Sequence, residues 1–125
     1  MARPDIRARI VIVEDDASLL GALVFALRAD RYEVSGYRTA SRALADRRAC
    51  DCLVVDLKLP DMDGLTLIGR LRELGVDAPA ILITTSPDES ARRRADKAEV
   101  TIVEKPLVDG RLARQIATAI GGARI

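Results

Sequence analysis

Carboxylate, hydroxyl and ammonium side chains follow short apolar runs at several points of this sequence. The residues concerned are Glu14, Asp15, Asp56, Thr84 and Lys105. Carboxylates that are brought together repel one another by roughly 1 to 4 kcal/mol per pair at about 4 Å, so such a group needs a positive partner. Mg²⁺ prefers oxygen ligands and usually works beside phosphate, and a lysine adds a second positive charge. The set therefore suits transfer of a phosphoryl group onto an aspartate oxygen.

The composition limits the other kinds of chemistry. The chain contains no histidine, which excludes Ser-His-Asp and Cys-His catalysis and histidine metal sites. Its net charge of +1 disfavours binding to nucleic acid or to an anionic membrane. We expect Cys50 and Cys52 to be reduced structural residues, because no second cysteine pair completes a zinc site. We expect a cytoplasmic protein, because no segment has membrane-spanning length or the form of a signal peptide.

Five apolar runs of strand length alternate with five amphipathic stretches. The predicted strands cover residues 9–13, 32–37, 52–56, 80–84 and 101–104. The predicted helices cover residues 16–30, 39–48, 63–74 and 87–98, with a last helix that stops at Gly121-Gly122. This alternation predicts one α/β domain over residues 1–125, with a single doubly wound five-stranded parallel sheet and helices on both faces.

Apolar residues recur on one side of each predicted helix. The inward positions are Leu20, Leu23, Val24 and Leu27, then Ala40, Ala43 and Leu44, then Leu67, Leu71 and Leu74, then Ala91, Ala95 and Ala98, and finally Leu112, Ile116, Ala119 and Ile120. Asp16 and Asp63 are predicted N-caps, and Gly75 is predicted to follow the third helix in the C′ position. The fourth helix is marginal. We interpret its run Arg92-Arg93-Arg94 as a solvated face, with binding of an acidic partner as the alternative.

The polar residues named first all lie at or just beyond the carboxyl ends of four predicted strands. In an open α/β sheet these ends meet at one edge, which is where ligands bind. We therefore expect these side chains to converge. Taken alone, Asp56 is as consistent with a helix cap or a solvated loop acid as with a functional residue. The expected convergence of the polar side chains is what favours a functional role for Asp56.

Five segments, in this order and spacing, resemble the receiver domain of bacterial two-component response regulators. They are Val13-Glu14-Asp15-Asp16, Val54-Val55-Asp56, Pro60-Asp61-Met62-Asp63-Gly64, Ile83-Thr84 and Glu104-Lys105-Pro106. The resemblance covers residues 9–120 and implies a flavodoxin-like (βα)5 receiver fold. It implies that Asp56 accepts a phosphoryl group from a phosphohistidine in a Mg²⁺-dependent reaction, and that the domain then switches conformation to signal to a partner.

The resemblance also implies a set of metal ligands. Asp15 and Asp56 would bind Mg²⁺ directly, and the backbone carbonyl of Lys58 would be a third protein ligand. Glu14 would act largely through water. Asp16 is assigned to the start of the first helix and not to the metal site.

Two further residues would contact the phosphoryl group once it is attached to Asp56. Thr84 would bond a phosphoryl oxygen and carry the switch, and Thr85 is its rival because both have hydroxyls. Lys105 would pair with the phosphoryl oxygens. The Lys105-Pro106 peptide bond is expected to be cis, as in similar domains.

The implied partners are a sensor histidine kinase or a histidine phosphotransfer protein, an unidentified downstream protein and, as an option left open, a second copy of the chain. The chain would be a signalling switch that catalyses its own phosphorylation and dephosphorylation, not an enzyme with a separate substrate. We expect a single-domain regulator, because the sequence ends soon after its last helix. The alternatives are the receiver part of a longer regulator and an interaction module that works without phosphorylation.

The sequence departs from the usual receiver in its later part. Most receivers have an aromatic residue where this chain has Ile102, and the stretch at 87–98 is poor in large apolar residues. On the first helix, Leu19, Ala22 and Phe25 lie off the inward stripe. In similar proteins this face meets the helical bundle of the phosphodonor, although Leu19 and Ala22 could equally widen the buried stripe.

Overall fold

Five parallel strands form one sheet in the order β2-β1-β3-β4-β5. The computed structural model describes residues 5–108 and 110–123, with the backbone alone for 122 and 123. The strands are β1 Arg9–Val13, β2 Glu33–Tyr37, β3 Cys52–Asp56, β4 Ala80–Thr84 and β5 Thr101–Glu104. The strand order reverses between β1 and β3, and the carboxyl ends of the strands beside such a reversal form the usual ligand crevice.

Helices cover both faces of this sheet, as predicted. They are α1 Ala17–Ala29, α2 Ala40–Asp46, α3 Gly64–Glu73, α4 Glu89–Lys97 and α5 Arg111–Ala123. The apolar residues of α1 and α5 pack in one cluster, whereas those of α2, α3 and α4 pack in a second cluster on the opposite face. The predicted fold class is confirmed.

The central strands are apolar on both sides because helices cover both sides. Along β3, Leu53 and Val55 join the cluster beneath α2, α3 and α4, while Cys52 and Val54 join the cluster beneath α1 and α5. This alternation of faces explains why β3 is a continuous apolar run in the sequence instead of an alternating one. Asp56 is the first polar residue of β3 and occupies its last position.

The predicted helix boundaries are largely confirmed by the capping contacts. The Asp16 side chain accepts a hydrogen bond from the Leu19 amide at the start of α1. The Asp63 side chain accepts hydrogen bonds from Leu65 and Thr66 at the start of α3. Gly75 follows α3 with φ +95°, a left-handed conformation that glycine adopts without steric cost.

Two details of the helices differ from the prediction. Leu74 was expected to face inward, but it is the C-cap of α3 and is 48% exposed, because the chain leaves the helix there. Ile68 is buried in addition to Leu67 and Leu71. The last helix does not stop at Gly121-Gly122 but continues to Ala123. A glycine costs a helix only about 1 kcal/mol relative to alanine, which by itself does not end a helix anchored by packed residues.

The Cys50 and Cys52 side chains are free thiols, with Cys52 buried in β3. Burial raises the pKa of Cys50 to about 11 and that of Cys52 to about 12, so both stay protonated at neutral pH. This agrees with their predicted structural role.

Gly64 provides a test of the packing between α3 and β3. A Cβ atom at this position would lie 2.2 Å from the Asp56 backbone oxygen, whereas a Cβ at Gly69 meets nothing within 4 Å. We expect Gly64→Ala to lower the free energy of unfolding by about 2 kcal/mol or more, because the β3 backbone must move. Gly69→Ala, the matched control in the same helix, should raise it by roughly 0.5 to 1 kcal/mol. Urea denaturation measures both, and a Gly64→Ala variant as stable as wild type would contradict this view of the packing.

Candidate functional site

The polar residues at the strand ends meet at one edge of the sheet. Asp56 ends β3 between β1 and β4, and its register partner in β4 is Ile83. Glu14 directly follows β1 and is fully buried, while Asp56 and Thr84 are 6% and 2% exposed. Folding therefore carries two carboxylates and a hydroxyl out of bulk water, at a free-energy cost that their partners have to offset.

Three carboxylates form an acidic cluster at this edge. One oxygen from each of Glu14, Asp15 and Asp56 lies within 4.8 Å of the other two. Asp15 is exposed, whereas the other two are buried. The repulsion within this cluster is weakly screened because two of its three carboxylates are buried.

Lys105 inserts its ammonium group between the two buried carboxylates. Its Nζ lies 2.9 Å from Glu14 Oε1 and 3.2 Å from Asp56 Oδ2. Burial alone lowers the pKa of Lys105, but the contacts with Glu14 and Asp56 outweigh this effect and raise it. Lys105 therefore keeps its charge throughout the physiological pH range.

The two contacts of Lys105 differ in kind. The ammonium donates a hydrogen bond to Asp56 Oδ2. Its contact with Glu14 Oε1 is a charge pair without hydrogen-bond angles, and among the described residues this oxygen is the buried side-chain acceptor that has no hydrogen-bond partner. The two groups still attract each other at this distance, because charge attraction depends little on direction. A buried oxygen in this state is well suited to a water or a cation in the cluster.

Backbone amides fix the remaining oxygens of the buried carboxylates. The Asp16 amide donates to Glu14 Oε2 at 3.0 Å, and the Lys58 amide donates to Asp56 Oδ1 at 3.3 Å. Lys58 also forms an isolated β-bridge with Asp63, which closes the loop between β3 and α3. The Lys58 side chain is exposed and stands outside the cluster.

The charges in the site do not balance. By formal charge, three carboxylates face one ammonium, which leaves an excess of two negative charges. An all-oxygen donor set with this excess fits a hard divalent cation such as Mg²⁺. The residues present therefore fit the metal that the sequence suggests.

Thr84 and Thr85 differ sharply in their surroundings. Thr84 is the buried last residue of β4, and its backbone oxygen accepts a hydrogen bond from the Lys105 amide at 2.8 Å. Thr85 is exposed. Lys105 is followed by a cis peptide bond to Pro106, as expected. These contacts join the ends of β4 and β5 beside the acidic cluster.

Charged contacts hold α4 against its neighbours, and the sequence did not reveal them. The Arg92 guanidinium lies 2.5 Å from Glu104 Oε1, and the Arg94 guanidinium donates two hydrogen bonds, of 2.8 and 3.0 Å, to the Asp63 carboxylate. The three arginines are exposed, as interpreted for a solvated face, and Arg92 and Arg94 in addition form ion pairs with neighbouring segments. The only signal in the sequence was the shortage of apolar residues in α4.

Asp61 is a second residue that sequence reasoning missed. Its carboxylate accepts hydrogen bonds from the Ala40 and Ser41 amides and from the Ser41 hydroxyl. These bonds lower the pKa of Asp61 to about 2, the Ser41 hydroxyl contributing most. They attach the loop between β3 and α3 to the first turn of α2.

Comparison with known proteins settles the family. A family model described as the response regulator receiver domain matches residues 10–117. The chain belongs to this receiver family. The Lys105–Asp56 contact and the acidic cluster described above are thus found in a receiver, at the positions where the sequence predicted a phosphoryl-acceptor site.

Relatives of this receiver are known in sequence and in structure. The response regulator protein TodT of Pseudomonas putida is 35% identical over 114 residues, which cover 89% of this chain and 50% of TodT. A CheY-like receiver domain protein from Methanospirillum hungatei JF-1 superposes with a TM-score of 0.87 at 26% identity, covering 93% of this chain and 95% of that one. The non-phosphorylated HemR receiver domain from Leptospira biflexa gives a TM-score of 0.84 at 29% identity, covering 91% and 94%.

The receiver spans about half the length of the relatives TodT and TmoT. A chain of 125 residues is therefore either a single-domain regulator or the receiver part of a longer one. Among the helices of residues 5–108 and 110–123, none has the length and apolar character needed to cross a lipid bilayer.

The contact between Arg94 and Asp63 can be tested by its dependence on pH and salt. Burial tends to raise the pKa of Asp63, but hydrogen bonds from Arg94 and from the α3 amides lower it overall. A carboxyl with a lowered folded-state pKa stabilises the fold above its unfolded value of 3.8, and this stability is lost as the pH falls through the folded value. We expect Arg94→Gln to cost at most about 1 kcal/mol of unfolding free energy at neutral pH and low salt.

This difference between Arg94→Gln and wild type should shrink in acid and at high salt, as followed by thermal unfolding. Arg93→Gln is the matched control, because among the described residues Arg93 pairs with the exposed Glu89 alone, at 3.7 Å in the preceding turn of α4. A loss of stability in Arg94→Gln that is the same at every pH and salt concentration would contradict an ionic contribution.

Proposed function

We propose that this receiver takes a phosphoryl group from a phosphohistidine donor onto Asp56 and passes the signal on by a change of conformation. The observation that carries the proposal is the position of the Asp56 carboxylate. It is almost buried at the end of a central strand, it bonds the Lys105 ammonium at 3.2 Å, and it shares an acidic cluster with Glu14 and Asp15. A structural role alone does not require an aspartate in such a costly environment.

Magnesium is the proposed cofactor. Asp15 and Asp56 would hold it directly, Lys58 would add its backbone carbonyl, and Glu14 would act largely through water. When bound, Mg²⁺ supplies positive charge that offsets the negative charge of the transferring phosphoryl group. The excess of two negative charges in the cluster supports this assignment.

The proposed reaction is an in-line displacement at phosphorus. A carboxylate oxygen of Asp56 forms the new O–P bond, while the P–N bond of the donor breaks and its electron pair returns to the imidazole nitrogen. Lys105, which keeps its proton throughout, stabilises the phosphoryl oxygens electrostatically. The contribution of the chain is therefore positioning and charge, with no proton transferred by a side chain of the receiver.

The proposed switch begins at Thr84. Its buried hydroxyl would bond a phosphoryl oxygen on Asp56, and Lys105 would exchange part of its contact with Glu14 for the new anion. The ends of β4 and β5 are joined at these residues, so a shift there would reach Glu104 and its partner Arg92 on α4. Phosphorylation would in this way favour one of two existing conformations.

The proposed donor is a sensor histidine kinase or a histidine phosphotransfer protein, and α1 is the proposed docking face. Phe25 on this helix is 78% exposed, and Ala22 is exposed beside it, whereas Leu19 is half-buried. Phenylalanine is among the residues enriched at protein–protein interfaces, so Phe25 is the proposed anchor for the partner. The downstream protein is not specified by these contacts, and a second copy of the chain is one option for it.

The remaining parts of the proposal concern the chain as a whole. We assign residues 1–125 to one receiver domain in the cytoplasm, on the strength of the family match. We assign it the role of a signalling switch that acts on its own aspartyl phosphate, without a separate substrate or a nucleic-acid partner.

A second candidate function is an interaction module that works without phosphorylation. The observation in its favour is the atypical α4 and β5 region, where Ile102 is half-buried in place of an aromatic ring and the inward residues of α4 are alanines. The two functions differ in whether a phosphoryl group on Asp56 changes this region.

The acceptor is tested by incubating the protein with Mg²⁺ and a small acyl phosphate, followed by intact mass measurement. We expect one phosphoryl adduct on wild type and none on Asp56→Asn, because the amide lacks the nucleophilic oxygen. Asp77→Asn makes the same chemical change at an exposed loop residue and should react like wild type. Equal adduct on wild type and Asp56→Asn, or none on either, would refute the proposal.

The switch is tested with Thr84→Val and Thr85→Val, compared by amide NMR before and after phosphorylation. Both variants should take up the phosphoryl group. In wild type and Thr85→Val we expect the amide signals of α4 and β5 to shift, while Thr84→Val should lose most of that shift because its side chain has no hydroxyl. The absence of any such shift in phosphorylated wild type would favour the second candidate function.

A further inference from the structure

We propose that Arg38 is a positioning residue that holds Asp15 in place for Mg²⁺. Arg38 directly follows β2, at the edge of the sheet, and its side chain reaches the loop between β1 and α1. Its Nε and Nη2 atoms both donate to the Asp15 backbone oxygen, at 3.2 and 3.1 Å. The inference rests on the proposed function, because it concerns the metal site of that function.

Asp15 differs from the other two acidic residues in what fixes it. Glu14 Oε2 and both oxygens of Asp56 accept hydrogen bonds. Within the described residues, the Asp15 carboxylate has no hydrogen bond or salt bridge, and the residue is exposed. The direction of this carboxylate therefore depends on the backbone that carries it.

The backbone on either side of the Asp15 carbonyl is already fixed. The Glu14 amide donates to the Tyr37 oxygen at 2.9 Å, and the Asp16 side chain caps α1. The Asp15 peptide oxygen lies between these two anchors, and the guanidinium of Arg38 is the group that binds it. Two donors on one acceptor limit rotation of the peptide plane and hence the directions open to the Asp15 side chain.

Arg38 has two opposite effects on a cation in the cluster. Its positive charge repels Mg²⁺, but Arg38 is exposed, so solvent and salt weaken this repulsion. Its two hydrogen bonds orient a ligand in advance, which strengthens binding. We expect orientation to outweigh repulsion, because residues that orient metal ligands typically change metal affinity by about tenfold or more when replaced.

Two substitutions separate these effects. Arg38→Lys keeps the charge but loses the planar pair of donors, and Arg38→Gln loses both the charge and the pair. If the residue acts by orienting Asp15, both variants bind Mg²⁺ more weakly. If it acts through charge alone, Arg38→Lys binds like wild type and Arg38→Gln binds more tightly.

The measurement is the dissociation constant for Mg²⁺ by isothermal titration calorimetry. We expect it to rise by about tenfold in both Arg38 variants. Arg42→Lys and Arg42→Gln are the matched controls, because Arg42 is exposed on α2 and the structure gives its side chain no partner among the described residues. Wild-type affinity in Arg38→Lys would overturn the inference, and so would tighter binding in Arg38→Gln.

A second readout distinguishes positioning from a general structural role. The rate of phosphorylation by a small acyl phosphate should be reduced in Arg38→Lys at low Mg²⁺ and should return to the wild-type value when Mg²⁺ is saturating. A rate that stays low at saturating Mg²⁺ would overturn the inference. Failure of wild type itself to bind Mg²⁺ or to be phosphorylated would count against the proposed function, whereas normal wild-type behaviour with unaffected Arg38 variants would remove only the role of Arg38.

Discussion

Repulsion among three carboxylates held at one edge of a sheet is the constraint on which the rest of the structure depends. Glu14 and Asp56 are buried, so their separation is set by the strands that carry them and not by their own preference. Burial of apolar residues in β1, β3 and β4 stabilises this arrangement, since each fully buried aliphatic side chain contributes about 1.5 to 3 kcal/mol. Lys105 offsets part of the repulsion, and the remaining formal negative charge suits a cation.

The position of α4 also depends on interactions between charged side chains. Its inward residues are small, so it buries little apolar surface, and arginines on its outer side connect it to its neighbours instead. One of these contacts ends at Glu104, next to Lys105, and the other ends at Asp63, next to Gly64. Both partners are next to residues that lie against Asp56. A movement of the segment of either partner would therefore act on α4 through contacts that are individually weak and sensitive to salt.

The loop between β3 and α3 is constrained from three directions. Gly64 brings the start of α3 against the backbone of Asp56, the Lys58 amide binds the Asp56 carboxylate, and Asp61 attaches the loop to α2. Such a loop presents its backbone to the site in one conformation. This matters for the Lys58 backbone carbonyl, the metal ligand proposed in this loop, because a carbonyl cannot adjust its direction by rotation of a side chain.

The sequence by itself determined the strands, the helix caps at Asp16 and Asp63, the turn at Gly75 and the residue types at the strand ends, because periodicity and capping are local properties. Local rules gave the wrong exposure for Leu74 and the wrong last residue for α5, because tertiary packing determines both. Only the tertiary structure decided which charged groups meet. Lys105 and Asp56 are 49 positions apart, Arg94 and Asp63 are 31 apart, and Arg38 and Asp15 are 23 apart. A long flexible side chain can reach several partners, and the fold alone selects one of them.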